Sequence, residues 1–272
     1  MRLTTTCRTG TFGVIIQNMT IAVTAPIYFL IHLLTSPASS DNPTTEDLAI
    51  DPGDSALLPH RTVLSFIIPA VLMSLPSPSV LSAGAHYTWL AMWQVFPITD
   101  TVYHFITKFA LPSHTQRDSD DRAARAFVAR AHRFILYLCF VPRTIATAVA
   151  LTPTSLAPEA LKPLFEQVTF GSLFVPYWPW NSPTTGDPSS PSGKPELAKL
   201  FLQWDVGSAG FAMLVWAVYV YLSTLPERRL LRDVVPKVLA YGVVGGPVAV
   251  ATMLVMERDA AVLARSRRGK RE

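Results

Sequence analysis

One run of 23 residues, 200–222, limits what this chain can fold into more than any other feature of its sequence. The run reads LFLQWDVGSAGFAMLVWAVYVYL and contains a single formal charge, on Asp205. At 1.5 Å per residue a helix of this length extends roughly 35 Å, which exceeds the thickness of the bilayer hydrocarbon core, about 30 Å. The run therefore predicts a membrane-spanning helix that carries a carboxylate, and ionisable groups in such helices are by default candidates for function.

The composition also favours a membrane protein. Only 15% of the 272 residues are charged, and the mean hydropathy is +0.31, whereas a soluble domain carries about 25% charged residues. Because lipid cannot hydrogen-bond the backbone, apolar runs of helix length leave α-helices as the spanning elements. We therefore predict an all-α polytopic integral membrane bundle without β-sheet, forming a single domain over residues 1–272. The basic residues flank the apolar runs, as topology signals do, so no nucleic-acid partner is predicted.

Six apolar runs are predicted to span the membrane, and they are residues 13–34, 62–82, 85–107, 134–152, 197–222 and 234–256. A weaker seventh run, 161–178, is more typical of an interfacial or re-entrant segment, so six or seven spans are predicted. The polar stretches 35–60 and 181–196 are predicted loops. Two basic segments, 108–133 and 223–237, are predicted to face the cytosol.

Two of these spans carry stripes of polar and aromatic side chains at helical spacing. The stripe in span 85–107 consists of His86, Trp89, Trp93, Pro97, Asp100 and His104, with Gln94 beside it. The stripe in span 197–222 consists of Asp205, Ser208, Ala212, Trp216 and Tyr219, with Trp204 adjacent. Each stripe combines one carboxylate with aromatic faces.

This combination suits acid-initiated carbocation chemistry. A carboxyl group in apolar surroundings favours its neutral form and can donate a proton, and aromatic faces stabilise the cation that results. Asp205 is the favoured general acid, and Asp100 is the second candidate. The structural alternative is that either aspartate pairs with Arg143, in span 134–152, to hold the bundle together. The six histidines lack metal-ligand spacing, so neither a metal nor another cofactor is predicted.

Three strings resemble a known family. IIQNMTIAVTAPIYFLIHLLTSP at 15–37, WQVFPITD at 93–100 and LFLQWDVGSAG at 200–210 resemble the membrane-bound terpene cyclases of fungal meroterpenoid biosynthesis, the family of the ascochlorin, ascofuranone and macrophorin cyclases. The resemblance runs from residue 13 onward and covers most of the chain. Relative to that family the chain is short at its N-terminus, as if a first span were missing.

The resemblance implies cyclisation of a farnesyl chain on an aromatic or quinone-like head, started by protonation of a terminal epoxide or olefin. It implies an enzyme of the endoplasmic reticulum that needs no metal and is coupled to a prenyltransferase and a flavin epoxidase. Asp205 and Asp100 would be its acidic positions. The expected partners are membrane lipid and a small prenylated substrate, which would contact Trp93, Trp89, Gln94, His104, Trp204, Trp216, Tyr219 and Arg143.

Two other functions fit a small polytopic protein. Buried Asp, His and Arg residues also form ion or proton relays in transporters, although no inverted repeat relates the two halves of this chain. A non-catalytic membrane partner could instead present prenylated intermediates to another enzyme. Incubation of microsomes with a farnesylated phenol and its terminal epoxide distinguishes these functions from cyclisation.

Overall fold

The computed structural model describes residues 5–50, 52–110, 121–159, 162–175 and 194–269, which form helices and connecting loops without any strand. In chain order the helices are α1 (Thr5–Met19), α2 (Ile21–Thr35), α3 (Pro52–Thr62), α4 (Ile68–Met73), α5 (Ala83–Gln94), α6 (Phe96–Ala110), α7 (Asp121–Leu151), α8 (Lys162–Gln167), α9 (Phe170–Phe174), α10 (Lys194–Thr224) and α11 (Val235–Gly269). The predicted all-α architecture is confirmed over these ranges.

Within the described residues, four helical stretches are long and apolar enough to cross a membrane, and they are Gly53–Met73, Ala126–Leu151, Leu197–Thr224 and Leu230–Arg265. The first joins α3 to α4 through a π-helical turn, Val63–Ile67. The last joins a second π-helical turn, Leu230–Val234, to α11. These stretches correspond to four of the six predicted spans.

The predicted span 13–34 is divided between α1 and α2. Thr20, between the two helices, has a φ of 72°. A β-branched residue at positive φ is strained, so the surrounding structure must impose this conformation. Nothing in the sequence marks the break, because no glycine or proline lies at Thr20 and Pro26 is well inside α2.

The predicted span 85–107 is likewise two helices, α5 and α6, which meet at Val95. Val95 has a φ of −96° and a ψ of 13°, outside the helical range. Pro97 explains the break, because it has no N–H to donate to the carbonyl of Trp93 and its ring disfavours helical dihedrals at Phe96. The polar stripe predicted along this span is therefore shared between two helices.

Other boundaries also differ from the predicted ones. Helix α3 begins at Pro52, inside the stretch 35–60 that was expected to be a loop. The helix expected at 62–82 ends at Met73, before the prolines at positions 76 and 78. The weak run 161–178 contains the short helices α8 and α9 up to Phe174. Its last residues, and residues 181–193 of the predicted polar loop, lie outside the described residues.

The chain divides into two compact units. Unit 1 is drawn from Met1–Phe134 and Val255–Glu272, and unit 2 from Ile135–Leu254. In unit 1, α1 approaches α6 closely, because a Cβ on Gly13 would lie 2.7 Å from Cβ of Pro97. In unit 2, α10 packs against α11, because a Cβ on Gly210 would lie 2.8 Å from Cγ of Pro247.

The core of unit 2 is built from small and β-branched side chains of α10 and α11. Its fully buried members include Ala217, Val220, Tyr221, Ala249, Val250, Ala251 and Leu254. Small residues let helix backbones approach closely, which is how helices associate in lipid, where apolar burial gives little driving force. This packed face fixes the orientation of α10 within the unit.

Candidate functional site

Asp100 is held by an arginine of unit 1. Arg61, on α3, donates from Nε to Oδ1 at 3.2 Å and from Nη2 to Oδ2 at 2.6 Å. The two side chains are 11% and 25% exposed. This bidentate geometry is the strong form of the arginine–carboxylate pair. A proton on either oxygen of Asp100 would displace a guanidinium hydrogen bond, so the arrangement opposes the use of Asp100 as a proton donor.

The same arginine contacts His104, which is 3% exposed. Arg61 Nη1 lies 2.6 Å from Nδ1 of His104, and Oδ1 of Asp54 lies 3.4 Å from the same nitrogen. Because a guanidinium group can only donate, Nδ1 accepts, and the proton of a neutral His104 ring is on Nε2. Arg61 therefore contacts one carboxylate and one imidazole within unit 1, and Asp54 lies beside the same imidazole nitrogen.

An aromatic group lies on the neighbouring helices of unit 1. The ring of Phe66 packs edge-on against Phe96 at 5.0 Å between centroids and lies 6.3 Å from the ring of Trp93. The Trp93 indole N–H is buried and has no acceptor among the described residues. Two other predicted contact residues are also on α5, where Trp89 is half-buried and Gln94 is exposed at the C-terminal end.

Asp205 lies near the start of the membrane-length part of α10 and is half-buried. Trp204 and Trp216 are half-buried too, whereas Tyr219 is 55% exposed. The tightly packed face of α10 carries Gly210 and Ala217 instead. The polar and aromatic stripe predicted on α10 is therefore a continuous helical face separate from the face that packs on α11.

Arg143, on α7, belongs to unit 2. Its Nε donates to the carbonyl oxygen of Val243 at 3.2 Å, and its guanidinium carbon lies 4.3 Å from the ring centroid of Phe174. Pairing of Arg143 with either aspartate was the structural alternative, and of the two aspartates Asp100 is paired with Arg61 instead.

Two residues of the Asp100 network were missed by the sequence analysis. Asp54 was assigned to the polar loop 35–60, and Arg61 lies between that loop and the span predicted from residue 62, although both residues lie on α3. The available signal was that Arg61 directly precedes an apolar run, where an arginine needs a partner. Nothing in the sequence identified that partner, which is 39 residues away. Among the described residues, no group of three or more His, Cys, Asp or Glu side chains could hold a metal ion.

The sequence matches the CtvD domain family over residues 3–263. The terpene cyclase ascI of Acremonium egyptiacum is 27% identical over 256 residues, which cover 91% of this chain and 62% of that protein. The terpene cyclase ctvD of Aspergillus terreus is 25% identical, over 91% of this chain and 66% of its own length. The terpene cyclase sdgD of Emericella nidulans is also 25% identical, over 98% of this chain and 65% of its own length.

The predicted resemblance to fungal terpene cyclases is confirmed by these matches. The chain spans just under two thirds of the length of the three relatives. No solved structure matches it.

Proposed function

Because the chain belongs to the CtvD domain family, we propose that it is an integral membrane terpene cyclase that acts on a farnesylated aromatic, or meroterpenoid, intermediate. The observation that carries this proposal is the family match over residues 3–263, together with relatives that are themselves named terpene cyclases. The four membrane-length helices support an enzyme embedded in lipid, where a farnesyl chain partitions. The proposed location is the endoplasmic reticulum.

The proposed reaction begins with proton transfer from Asp205 to the terminal epoxide oxygen or the terminal olefin of the farnesyl chain. With the epoxide, the C–O bond breaks as the proton arrives, which leaves a hydroxyl group and a tertiary carbocation. The π electrons of the next double bonds then close rings in turn, and loss of one proton ends the sequence. The product is an isomer of the substrate, so no oxidant, reductant or co-substrate is consumed.

The geometry supports Asp205 over Asp100 as the acid. Both oxygens of Asp100 already accept hydrogen bonds from Arg61, and a carboxylate held in this way is a poor proton donor. We assign to Asp205 the role of general acid, with Trp204, Trp216 and Tyr219 on the same helix supplying π faces that stabilise cationic intermediates. In unit 1, Asp100 and His104 form a polar anchor with Arg61, and Trp89, Trp93 and Gln94 are proposed substrate contacts.

We further propose that the chain crosses the membrane six times. Four spans are the membrane-length helices, and the other two are the broken pairs α1–α2 and α5–α6. Broken helices occur at membrane depth where neighbouring protein satisfies the freed backbone groups. Helices α8 and α9, of six and five residues, are too short to cross and fit an interfacial segment.

The proposal is tested with microsomes from cells that express the full chain and from cells with an empty vector. Both are incubated with a farnesylated phenol or with its terminal epoxide, and products are separated by liquid chromatography and mass spectrometry. A cyclase converts at least one of these substrates into an isomer of equal mass and shorter retention on a reversed phase, with new ring signals by NMR. A transporter or a non-catalytic partner leaves both substrates chemically unchanged, which would overturn the proposal.

A further inference from the structure

The position of Arg143 follows from a break in α11. Gly246 has a φ of 75° inside that helix, and Pro247 follows it. Because proline has no N–H, the carbonyl of Val243, four residues earlier, loses its normal helical donor. Arg143 Nε supplies a donor at 3.2 Å. Within a bilayer such a carbonyl must find a partner in the protein, so the break in α11 fixes one edge of the guanidinium group.

A second contact fixes the plane of the same group. The guanidinium carbon of Arg143 lies 4.3 Å from the centroid of Phe174. Phe174 is the last residue of α9, and the side-chain amide of Gln203 donates to the carbonyls of Ser172 and Leu173 at 2.9 and 3.0 Å. Helix α9 is thus attached to α10, which keeps the phenyl ring against Arg143. The guanidinium is therefore held by its Nε edge and by one face.

Among the residues that the structure describes, the Nη atoms of Arg143 make no hydrogen bond and pair with no carboxylate. Nη1 lies beside Gly246, where an added Cβ would be 3.4 Å away, and glycine places no side chain there. Arg143 lies eight residues before Leu151, the nearer end of the membrane-length stretch Ala126–Leu151, which is about 12 Å along the helix axis. A positive charge this deep in a membrane span is costly unless an anionic group or a dipole balances it.

We propose that the Nη edge of Arg143 binds an acidic oxygen, a carboxylate or a phenolate, on the aromatic head group of the substrate. The planar fork of arginine matches oxygen acceptors of this kind and is already pre-oriented by two contacts. The inference rests on the proposed function and adds to it the chemical class of the head group. A phospholipid headgroup offers similar oxygens, but it lies at the membrane surface and not near the middle of a span.

The test measures binding of a ligand that cannot cyclise. The full chain in nanodiscs of neutral phosphatidylcholine is titrated with a hydroxybenzoic acid that carries a fully saturated farnesyl chain, and with the same compound methylated at its acidic oxygens. Tryptophan fluorescence reports binding. The variant is Arg143→Gln. The matched control is Arg133→Gln, on the same helix, because Arg133 is exposed and its Nε also donates to a backbone carbonyl, that of Ala129 at 3.2 Å.

Loss of charge-assisted hydrogen bonds predicts about 10- to 100-fold weaker binding of the acid by Arg143→Gln. The methylated ligand should bind wild type and both variants alike, and Arg133→Gln should bind the acid as wild type does. Equal affinity of Arg143→Gln and wild type for the acid would overturn the inference, as would an equal loss for the acid and the methylated ligand. In a further titration the nanodiscs contain anionic phospholipid. Displacement of the acid from the wild-type protein by this lipid would also overturn the inference.

The variant Arg143→Lys separates a loss of binding from a loss of folding. It keeps the positive charge and a donor for the carbonyl of Val243 but removes the planar guanidinium group. It should bind the acid with intermediate affinity if the inference is right, and as tightly as wild type if the fork is irrelevant. Since these ligands cannot react, the result is separable from the cyclase proposal. Arg143-dependent binding without cyclised product in microsomes would reject the function alone, whereas cyclisation with Arg143-independent binding would reject this inference alone.

Discussion

The carboxylate of Asp100 accepts hydrogen bonds from Nε and Nη2 of Arg61 at 3.2 and 2.6 Å. The hydroxyl of Ser65 lies 3.5 Å from Oδ1 of Asp100, but it donates its single proton to the carbonyl of Arg61 at 2.7 Å. This carboxylate is an acceptor in every described contact, and a proton on either oxygen would displace a hydrogen bond from Arg61. A general acid needs the opposite environment, in which the neutral carboxyl group is the favoured form. The two aspartates that look alike in sequence are therefore assigned different roles.

The first prediction concerns Asp205. Replacement by Asn keeps the shape and hydrogen-bonding capacity of the side chain but removes the transferable proton. Loss of a general acid lowers the rate by about 10²–10⁴-fold, so Asp205→Asn should form product at that reduced rate in microsomes with matched protein levels. Asp41→Asn, in an exposed loop position, is the control and should retain wild-type activity. Near wild-type turnover by Asp205→Asn would remove Asp205 from the acid role.

The second prediction concerns the Arg61–Asp100 pair. Arg61→Met leaves the Asp100 carboxylate with no cation beside it, and breaking a buried ion pair from one side costs about 3–5 kcal/mol of folding free energy. The double variant Arg61→Met/Asp100→Asn should recover part of that loss, because the uncompensated charge is gone. Thermal unfolding in detergent of the wild type, both single variants and the double variant measures the coupling. Additive losses would mean that the two side chains do not interact.

At the scale of elements, the sequence contains a visible cause for one of the two helix breaks and none for the other. The break between α5 and α6 is caused by Pro97, which is visible in the sequence. The prediction nevertheless gave one uninterrupted span, because residues 85–107 form a continuous run of mainly apolar residues. The break at Thr20 has no such marker, because it depends on the packing around α1 and α2. Apolar runs of helix length predicted the membrane-length parts of α7, α10 and α11, although each of these helices extends beyond its predicted run. The runs could not predict the π-helical turn after α3, which depends on tertiary contacts.

The third prediction tests the close approach of α7 and α11. A Cβ on Gly245 would lie 2.5 Å from Cβ of Ala249 and 2.7 Å from Cε1 of Phe140. Gly245→Ala should therefore destabilise the protein by about 1–3 kcal/mol, the usual cost of overpacking. Gly207→Ala is the matched control, because a Cβ there meets nothing within 4 Å. It should be neutral or stabilise by about 0.5–1 kcal/mol, since glycine weakens a helix interior. Unfolding midpoints in detergent compare the two variants.

If Gly245→Ala were as stable as Gly207→Ala, α7 and α11 would not be in contact at this point. Because Arg143 lies three residues after Phe140 on α7, the same displacement should also weaken the contact of its Nε with Val243. Gly245→Ala should therefore bind the acidic ligand more weakly than Gly207→Ala does.

At the scale of the whole molecule, the apolar runs were enough to predict an all-α architecture with helices of membrane length, because runs of that length admit little else in lipid. The candidate site was less predictable. The sequence identified Asp100, Asp205 and Arg143 as ionisable groups within apolar runs, but it left open which aspartate pairs with Arg143 and did not identify Arg61 as the partner of Asp100. Pairing between residues far apart in the chain depends on which helices are neighbours, and one sequence contains no record of that. Arg61 was missed for the same reason.

The last prediction is the number of spans, read from three cysteine reporters in a chain whose own Cys7 and Cys139 are replaced by alanine. The reporters are Asp41→Cys, Ser155→Cys and Pro226→Cys, all exposed and all between the proposed spans, with Ser155 in the short 3₁₀ turn Thr154–Leu156. Six spans place residues 41 and 226 on one side of the membrane and residue 155 on the other. Four spans, without the broken pairs, would place 41 with 155, and a seventh crossing at 161–178 would place 155 with 226. In sealed microsomes the cytosolic face of the membrane is on the outside. A membrane-impermeant maleimide added to them should therefore label residues 41 and 226 and should label residue 155 only after detergent is added. Labelling of 41 with 155, or of 155 with 226, would instead assign four or seven crossings.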